Sequence, residues 1–158
     1  MTATNNPMNV TTPSEREVVV TRYFNAPARL VFAAWTDCKH LPHWLLGPEG
    51  WTMPICEVDA RPGGKYRFGW QHPEKKGFEI HGRYLEMEAP RRTVTAESMP
   101  PYPGETINTM ILEESDGKTR MTLTITYDSK EARDMALKTG MTRGMERSFD
   151  LLDEYLNK

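Results

Sequence analysis

The end of the chain constrains the fold most. No proline interrupts the run from Asp128 to Leu156, and Leu137, Met141, Met145, Phe149, Leu152 and Leu156 recur every three or four residues. Side chains at that spacing share one face of a helix, so the pattern is a continuous apolar stripe. Asp128 with Glu131 supplies a capping signature, which predicts one closing helix of about 28 residues, on the order of 40 Å long. Gly140 and Gly144 each weaken a helix interior by about 1 kcal/mol relative to Ala, which predicts a bend in its N-terminal half. A stripe this long must be covered by an apolar surface of similar extent.

The preceding residues provide that surface. Tyr66, Phe68 and Trp70 alternate with Lys65, Arg67 and Gln71, and Met121, Leu123, Ile125 and Tyr127 alternate with Arg120, Thr122, Thr124 and Thr126. Period-two alternation gives a sheet one apolar and one wet face. Between Trp51 and Tyr127 five or six strands are expected, at Met53–Ala60, Lys65–Gln71, Phe78–Met87, Arg92–Ser98, Thr106–Glu113 and Thr119–Tyr127. Arg61-Pro62-Gly63-Gly64 and Ser115-Asp116-Gly117-Lys118 carry the turn residues that reverse the chain between them. Upstream, Glu17–Phe24 has strand composition. Pro27–Thr36 is expected to be a helix with Val31, Ala34 and Trp35 on one face, followed by a short helical turn over Asp37–Trp44 limited by Pro42. Residues 1–14 are rich in Thr, Asn and Pro and are expected to form a disordered tail, leaving 15–158 as one domain. The order is α+β: two short helices after the first strand, a curved antiparallel meander, and a long C-terminal helix over its apolar face.

Twenty Lys and Arg against twenty-two Asp and Glu, interspersed along the chain, argue against a nucleic-acid footprint. No apolar run approaches a membrane span, and the polar start lacks a signal-peptide core, so a cytoplasmic protein without membrane partners is expected. In that compartment Cys38 and Cys56 are expected to remain thiols, and neither should be needed for folding. Asn9-Val10-Thr11 matches the glycosylation sequon, here taken as chance.

Catalytic signatures are missing. No Ser or Cys stands in an ordered pattern with His and a carboxylate. Glu57 and Asp59 share a strand face but sit beside Arg61, as solvated surface charges do. His40 and His43 are three apart without the Cys or carboxylate set of a metal site. His81 is a polar anchor if its strand face is the inner one, and solvated if Ile80, Gly82 and Tyr84 face inward. Pro62-Gly63-Gly64-Lys65 is a hairpin turn and not a phosphate loop. No catalytic residue, metal or cofactor is therefore expected. Ten Met and four Trp suit a deformable apolar pocket. Its candidate walls are Trp44, Trp51, Tyr66, Phe68, Trp70, Met141, Met145 and Phe149, which ordinary core packing would also explain. Trp44 and Trp51 flank Gly47-Pro48-Glu49-Gly50, the place of a lid or of a plug.

A family resemblance rests on Ala26-Pro27-Ala28-Arg29-Leu30-Val31-Phe32, Ala34-Trp35-Thr36 and His43-Trp44-Leu45-Leu46-Gly47-Pro48. It continues through Asp59-Ala60-Arg61-Pro62-Gly63-Gly64-Lys65-Tyr66, Gly82-Arg83-Tyr84-Leu85-Glu86, Ala89-Pro90-Arg91-Arg92 and Gly144-Met145. In this order the motifs resemble the Bet v 1-like, START-type superfamily, and within it proteins related to the C-terminal domain of the activator of the heat-shock protein 90 ATPase. Relatives often carry Trp after the closing-helix glycine, where this chain has Met145. The resemblance implies a helix-grip fold with a hydrophobic cavity between sheet and helix. It implies a small hydrophobic molecule as partner, with a chaperone or other protein-interaction module as the alternative and a cavity-based lyase or cyclase-like enzyme as the third reading. Monomer and homodimer both fit.

Overall fold

The structure, a computed structural model, describes residues 6–158. One sheet of eight strands holds the chain together: β1 Met8–Thr11, β2 Glu17–Phe24, β3 Thr52–Val58, β4 Lys65–Gln71, β5 Phe78–Glu88, β6 Arg92–Ser98, β7 Thr106–Ser115 and β8 Lys118–Thr126. Their order across the sheet is β1-β2-β8-β7-β6-β5-β4-β3. Every neighbouring pair is antiparallel. Helix α1 (Ala28–Thr36) and a 3-10 turn (Leu41–His43) follow β2, and α2 (Lys130–Lys138) and α3 (Met141–Leu156) follow β8. This is the helix-grip arrangement, with the meander boundaries close to those the alternation predicts. The expected turns also form. Gly63 has φ 83°, and Asp116 and Gly117 have φ 54° and 74°, the left-handed values a tight hairpin demands.

Three expectations are corrected. Met8–Thr11, placed in a disordered tail, pairs with β2 from Met8↔Arg22 to Thr11↔Val19 and forms an edge of the sheet. Backbone hydrogen bonding ordered this polar segment where composition offered nothing to bury; residues 1–5 of the expected tail lie outside the described residues.

The closing helix is two helices. Gly140 takes φ 81°, which ends α2 and starts α3 in a left-handed link, a conformation open to glycine at little steric cost. The α2 cap is Ser129, whose side chain accepts from the Ala132 N–H, and not Asp128. Ser129 occupies the extended N-cap position one residue later than the capping pattern suggested.

Cys38 and Cys56 form a disulfide, so the expectation of two free thiols is overturned. Cys38 follows α1 and Cys56 lies on β3, and the fold brings their Cα atoms to 5.8 Å, inside the range a disulfide spans. An argument from compartment took no account of that approach, and with the bridge present cysteine usage no longer speaks for a reducing location. Among the described residues no helix is long and apolar enough to cross a membrane.

Candidate functional site

The predicted wall residues separate into groups. Trp44 is fully buried and its indole N–H donates to the Ala34 carbonyl at 3.1 Å. Trp35 and Phe149 pack on it at centroid distances of 4.8 and 6.5 Å, and Phe24 meets Phe149 edge-on at 5.9 Å. This group is solid core, so Trp44 acts as a plug. Tyr66, Phe68 and Trp70 line the inner face of β4, with successive centroids 5.0 and 6.0 Å apart, and Tyr84 joins Tyr66 at 5.3 Å. Trp51 packs instead against Phe78 and His72 at the sheet margin. Met141 receives a hydrogen bond from the Tyr127 hydroxyl at 3.4 Å, and Met141 and Met145 are both half-buried.

The loop after Trp44 is latched to α3. The Gly47 N–H donates to Ser148 Oγ at 2.8 Å, Arg147 donates to the Gly47 carbonyl at 2.8 Å, and Pro48 packs over Gly144. Trp70 adds a bond from its indole N–H to the Leu45 carbonyl at 2.8 Å. With both backbone groups of Gly47 bonded to α3, this segment is a strap across the grip.

Sequence reasoning missed a polar cluster on the inner face. Strand register places Val58, Tyr66, Gly82, Glu97 and Thr106 in one row across β3, β4, β5, β6 and β7. The next row holds Tyr84, Thr95, Asn108, Ile125 and Val18. Tyr66 reaches Glu97 two strands away, and its hydroxyl donates to Oε1 at 2.7 Å. Gly82 makes that reach possible, because a β-carbon there would collide with the Tyr66 ring. Asn108 Oδ1 is buried with no hydrogen-bond partner.

Burial raises the Glu97 pKa, and hydrogen bonding from Tyr66 and Asn108 only partly opposes it. Burial also lifts the tyrosines, with the Glu97 charge adding to it: Tyr66 is raised, and Tyr84 and Tyr127 are pushed up to about 12. Glu97, Thr106, Tyr127, Leu137, Met141 and Met145 all keep accessible surface, so this part of the interior is less tightly closed than the Trp44–Phe149 core. The missed signal was parity. Glu97 continues the inward phase of Thr93 and Thr95, so a carboxylate stands where alternation calls for a buried side chain.

A second buried charge was missed for the same reason. Arg22 sits in phase with Val18, Val20 and Phe24, and its side chain is fully buried. It donates to Asp153 at 3.1 Å, to Asp150 at 2.8 Å and to the Tyr23 carbonyl, with its guanidinium 5.1 Å from the Phe24 ring. Asp153 is completed by the Asn25 N–H at 3.0 Å and the Asn157 side chain at 3.1 Å. These bonds fix the end of α3 to β2.

The other candidates are surface groups. His81 faces outward and lies 2.9 Å from Glu79. Glu57 pairs with Arg67 at 3.6 Å, and Asp59 with Arg61 at 2.9 Å. Arg67, and after it His81, hold the exposed Glu79 carboxyl down to about 2 through hydrogen bonds. His40 Nδ1 lies 2.7 Å from the Tyr155 hydroxyl, and His43 stacks on the same ring at 5.2 Å. A hollow of about 450 Å³ opens beside Pro54, Ile55, Gly69, Trp70 and Phe78.

One helix pair over the inner face of an eight-stranded antiparallel sheet defines the chain as an α+β helix-grip protein. Residues 25–157 match the family described as activator of Hsp90 ATPase homolog 1-like protein, and the chain belongs to that family. A crystal structure of a Rhodobacter sphaeroides protein is similar at 30% identity and TM-score 0.89, over 95% of this chain and 97% of that one. A Nitrosomonas europaea protein is similar at 24% identity and TM-score 0.82, over 92% and 97% of the two chains. CalU16 from Micromonospora echinospora shares 20% identity and TM-score 0.67, over 98% of this chain and 77% of that one. The last two similarities concern the fold alone. No curated protein matches the chain.

Proposed function

We propose that the chain binds a small, largely apolar molecule on the inner face of its sheet, beneath the α2–α3 junction. The observation that carries this reading is the Tyr66–Glu97–Asn108 cluster: one buried and two half-buried polar side chains, with the buried Asn108 Oδ1 atom lacking a partner, set among aromatic side chains and half-buried methionines. Binding sites combine a mostly apolar lining with a few convergent polar groups, whereas a purely structural core leaves few polar atoms unpaired. Tyr66, Phe68, Met141 and Met145 belong to this reading. Trp44 and Phe149 support the site from the core.

The test uses 4-phenylbutanol. Binding raises the melting temperature with ligand concentration and changes tryptophan emission through Trp70. Met145→Trp, the bulkier residue common in relatives, lowers affinity while the protein stays folded. A wild-type protein that neither shifts its melting temperature nor its emission at millimolar 4-phenylbutanol would sink the proposal.

The second reading is a protein-interaction surface. The hollow beside Pro54, Ile55 and half-exposed Phe78 favours it, because it adjoins β3, an edge strand of the sheet. Under this reading a partner protein raises the melting temperature and 4-phenylbutanol does not.

A further inference from the structure

The inner-face cluster has more acceptors than donors. Glu97 carries two carboxyl oxygens with four lone pairs, and the groups that hydrogen-bond to it are the Tyr66 hydroxyl, at 2.7 Å, and the Asn108 side-chain amide. Asn108 Oδ1, one row away, has none. Among the described residues no Lys, Arg or His forms an ion pair with the half-buried Glu97, while the fully buried carboxylate of Asp153 is matched by Arg22. The titratable groups around Glu97 are Tyr66 from β4, Tyr84 from β5 and Tyr127 after β8, all neutral at ordinary pH. Aromatic rings stand beside these acceptors, and the negative face of an aromatic ring attracts cations.

We propose that the ligand of this site is an apolar molecule bearing a protonated amine, whose N–H groups donate to the Glu97 carboxylate and to Asn108 Oδ1 while its hydrocarbon part lies against Tyr66, Phe68 and Met141. This rests on the ligand-binding reading above and deepens it. A hydrocarbon would leave Asn108 Oδ1 unpaired, which costs about 1–3 kcal/mol for a buried polar group. An anion would meet acceptors and the developing charge of Glu97. An ammonium group meets the acceptor surplus and supplies the missing cation.

Burial raises the Glu97 pKa in the empty site. An amine that enters already protonated favours the carboxylate, so the bound pair is ammonium and carboxylate, and any proton that Glu97 held passes to buffer.

The experiment compares 4-phenylbutylamine with 4-phenylbutanol and butylbenzene by calorimetry and tryptophan emission near neutral pH. In wild type the amine is expected to bind at least about tenfold more tightly than the alcohol, a difference of about 1.4 kcal/mol. Glu97→Gln should abolish the preference, bringing the amine to the affinity of the alcohol measured in the same variant. Asn108→Leu should weaken the amine more than butylbenzene. Equal wild-type affinity for amine and alcohol, or a preference that survives Glu97→Gln, overturns the amine assignment and leaves ligand binding standing. Absence of binding by all three compounds overturns both.

Discussion

The two ends of the grip treat a buried charge in opposite ways. At one end Arg22 meets Asp153 and Asp150, the ring of Phe24 lies beneath the guanidinium, and Phe149 and Leu152 are fully buried alongside. At the other, Glu97 has a tyrosine hydroxyl for company, and the stripe residues above it, Met141 and Met145, are only half-buried. The sheet is continuous beneath both, and one apolar stripe runs over both. What differs is whether a partner arrives on the helix. Asp153 is placed on α3 to meet Arg22, while α2 and the start of α3 bring no described cation to Glu97. Each end leaves hydrogen-bonding capacity unspent, donors at Arg22 Nε and Trp35 Nε1 in the closed end and an acceptor at Asn108 Oδ1 in the open end, where the proposed ligand would meet it.

Removing Asp153 breaks the closed end. Asp153→Ala leaves the buried Arg22 with only the half-exposed Asp150 and the Tyr23 carbonyl, and should cost about 3 kcal/mol in chemical denaturation. The pair Arg22→Met with Asp153→Leu should recover most of that loss, since a well-packed apolar pair often replaces a buried ion pair without penalty. If Asp153→Ala unfolds at the wild-type midpoint, the end is not fastened by this ion pair.

The stripe sharpens the contrast. Phe149→Ala should lose about 3–5 kcal/mol, as a large core truncation does. Met141→Ala, half-buried over the open end, should lose about 1 kcal/mol. Equal losses would mean that both ends are packed alike.

The Cys38–Cys56 bridge closes a loop of 18 residues in sequence separation, tying the end of α1 to β3. In the chain-entropy account its removal costs about 3 kcal/mol, so reduced wild type and a Cys38→Ser, Cys56→Ala variant should melt at the same, lower temperature. A variant that melts with oxidised wild type shows the bridge to be thermodynamically idle.

The smallest effect concerns Glu97. Its folded-state pKa is raised, so its contribution to stability is full below the ordinary carboxylate range and is lost as pH rises through the raised value. Gln cannot ionise, so the melting temperature of Glu97→Gln relative to wild type should increase by a few degrees between about pH 4 and about pH 8. A constant or falling difference would show that Glu97 is as well solvated as a surface carboxylate.

Much of the fold was legible because it follows local periodicity. Lys65–Gln71 and Arg92–Ser98 form strands at their predicted boundaries, and Gly63 and Asp116-Gly117 turn where turn chemistry requires. The candidate site was legible only in part. Under the proposed reading Tyr66, Phe68 and Met141 face the ligand, whereas Trp44 and Phe149 share their composition and are packed core. Apolar residues in a wall and in a plug obey the same pattern, because periodicity reports the face a side chain takes and not how closely the opposite layer approaches.

By itself the sequence determined β2 to β8, the first helix, the apolar face and the stripe that covers it, since these depend on residues a few positions apart, but not β1 or the break between α2 and α3. Only the tertiary structure decided the rest. Arg22 and Asp153 are 131 residues apart, Tyr66 and Glu97 are 31 apart, and Cys38 and Cys56 are 18 apart. Their meetings are set by strand register, by the left-handed link at Gly140 and by the turn after α1. Whether a buried charge finds a partner depends on geometry across the fold, which no local pattern encodes.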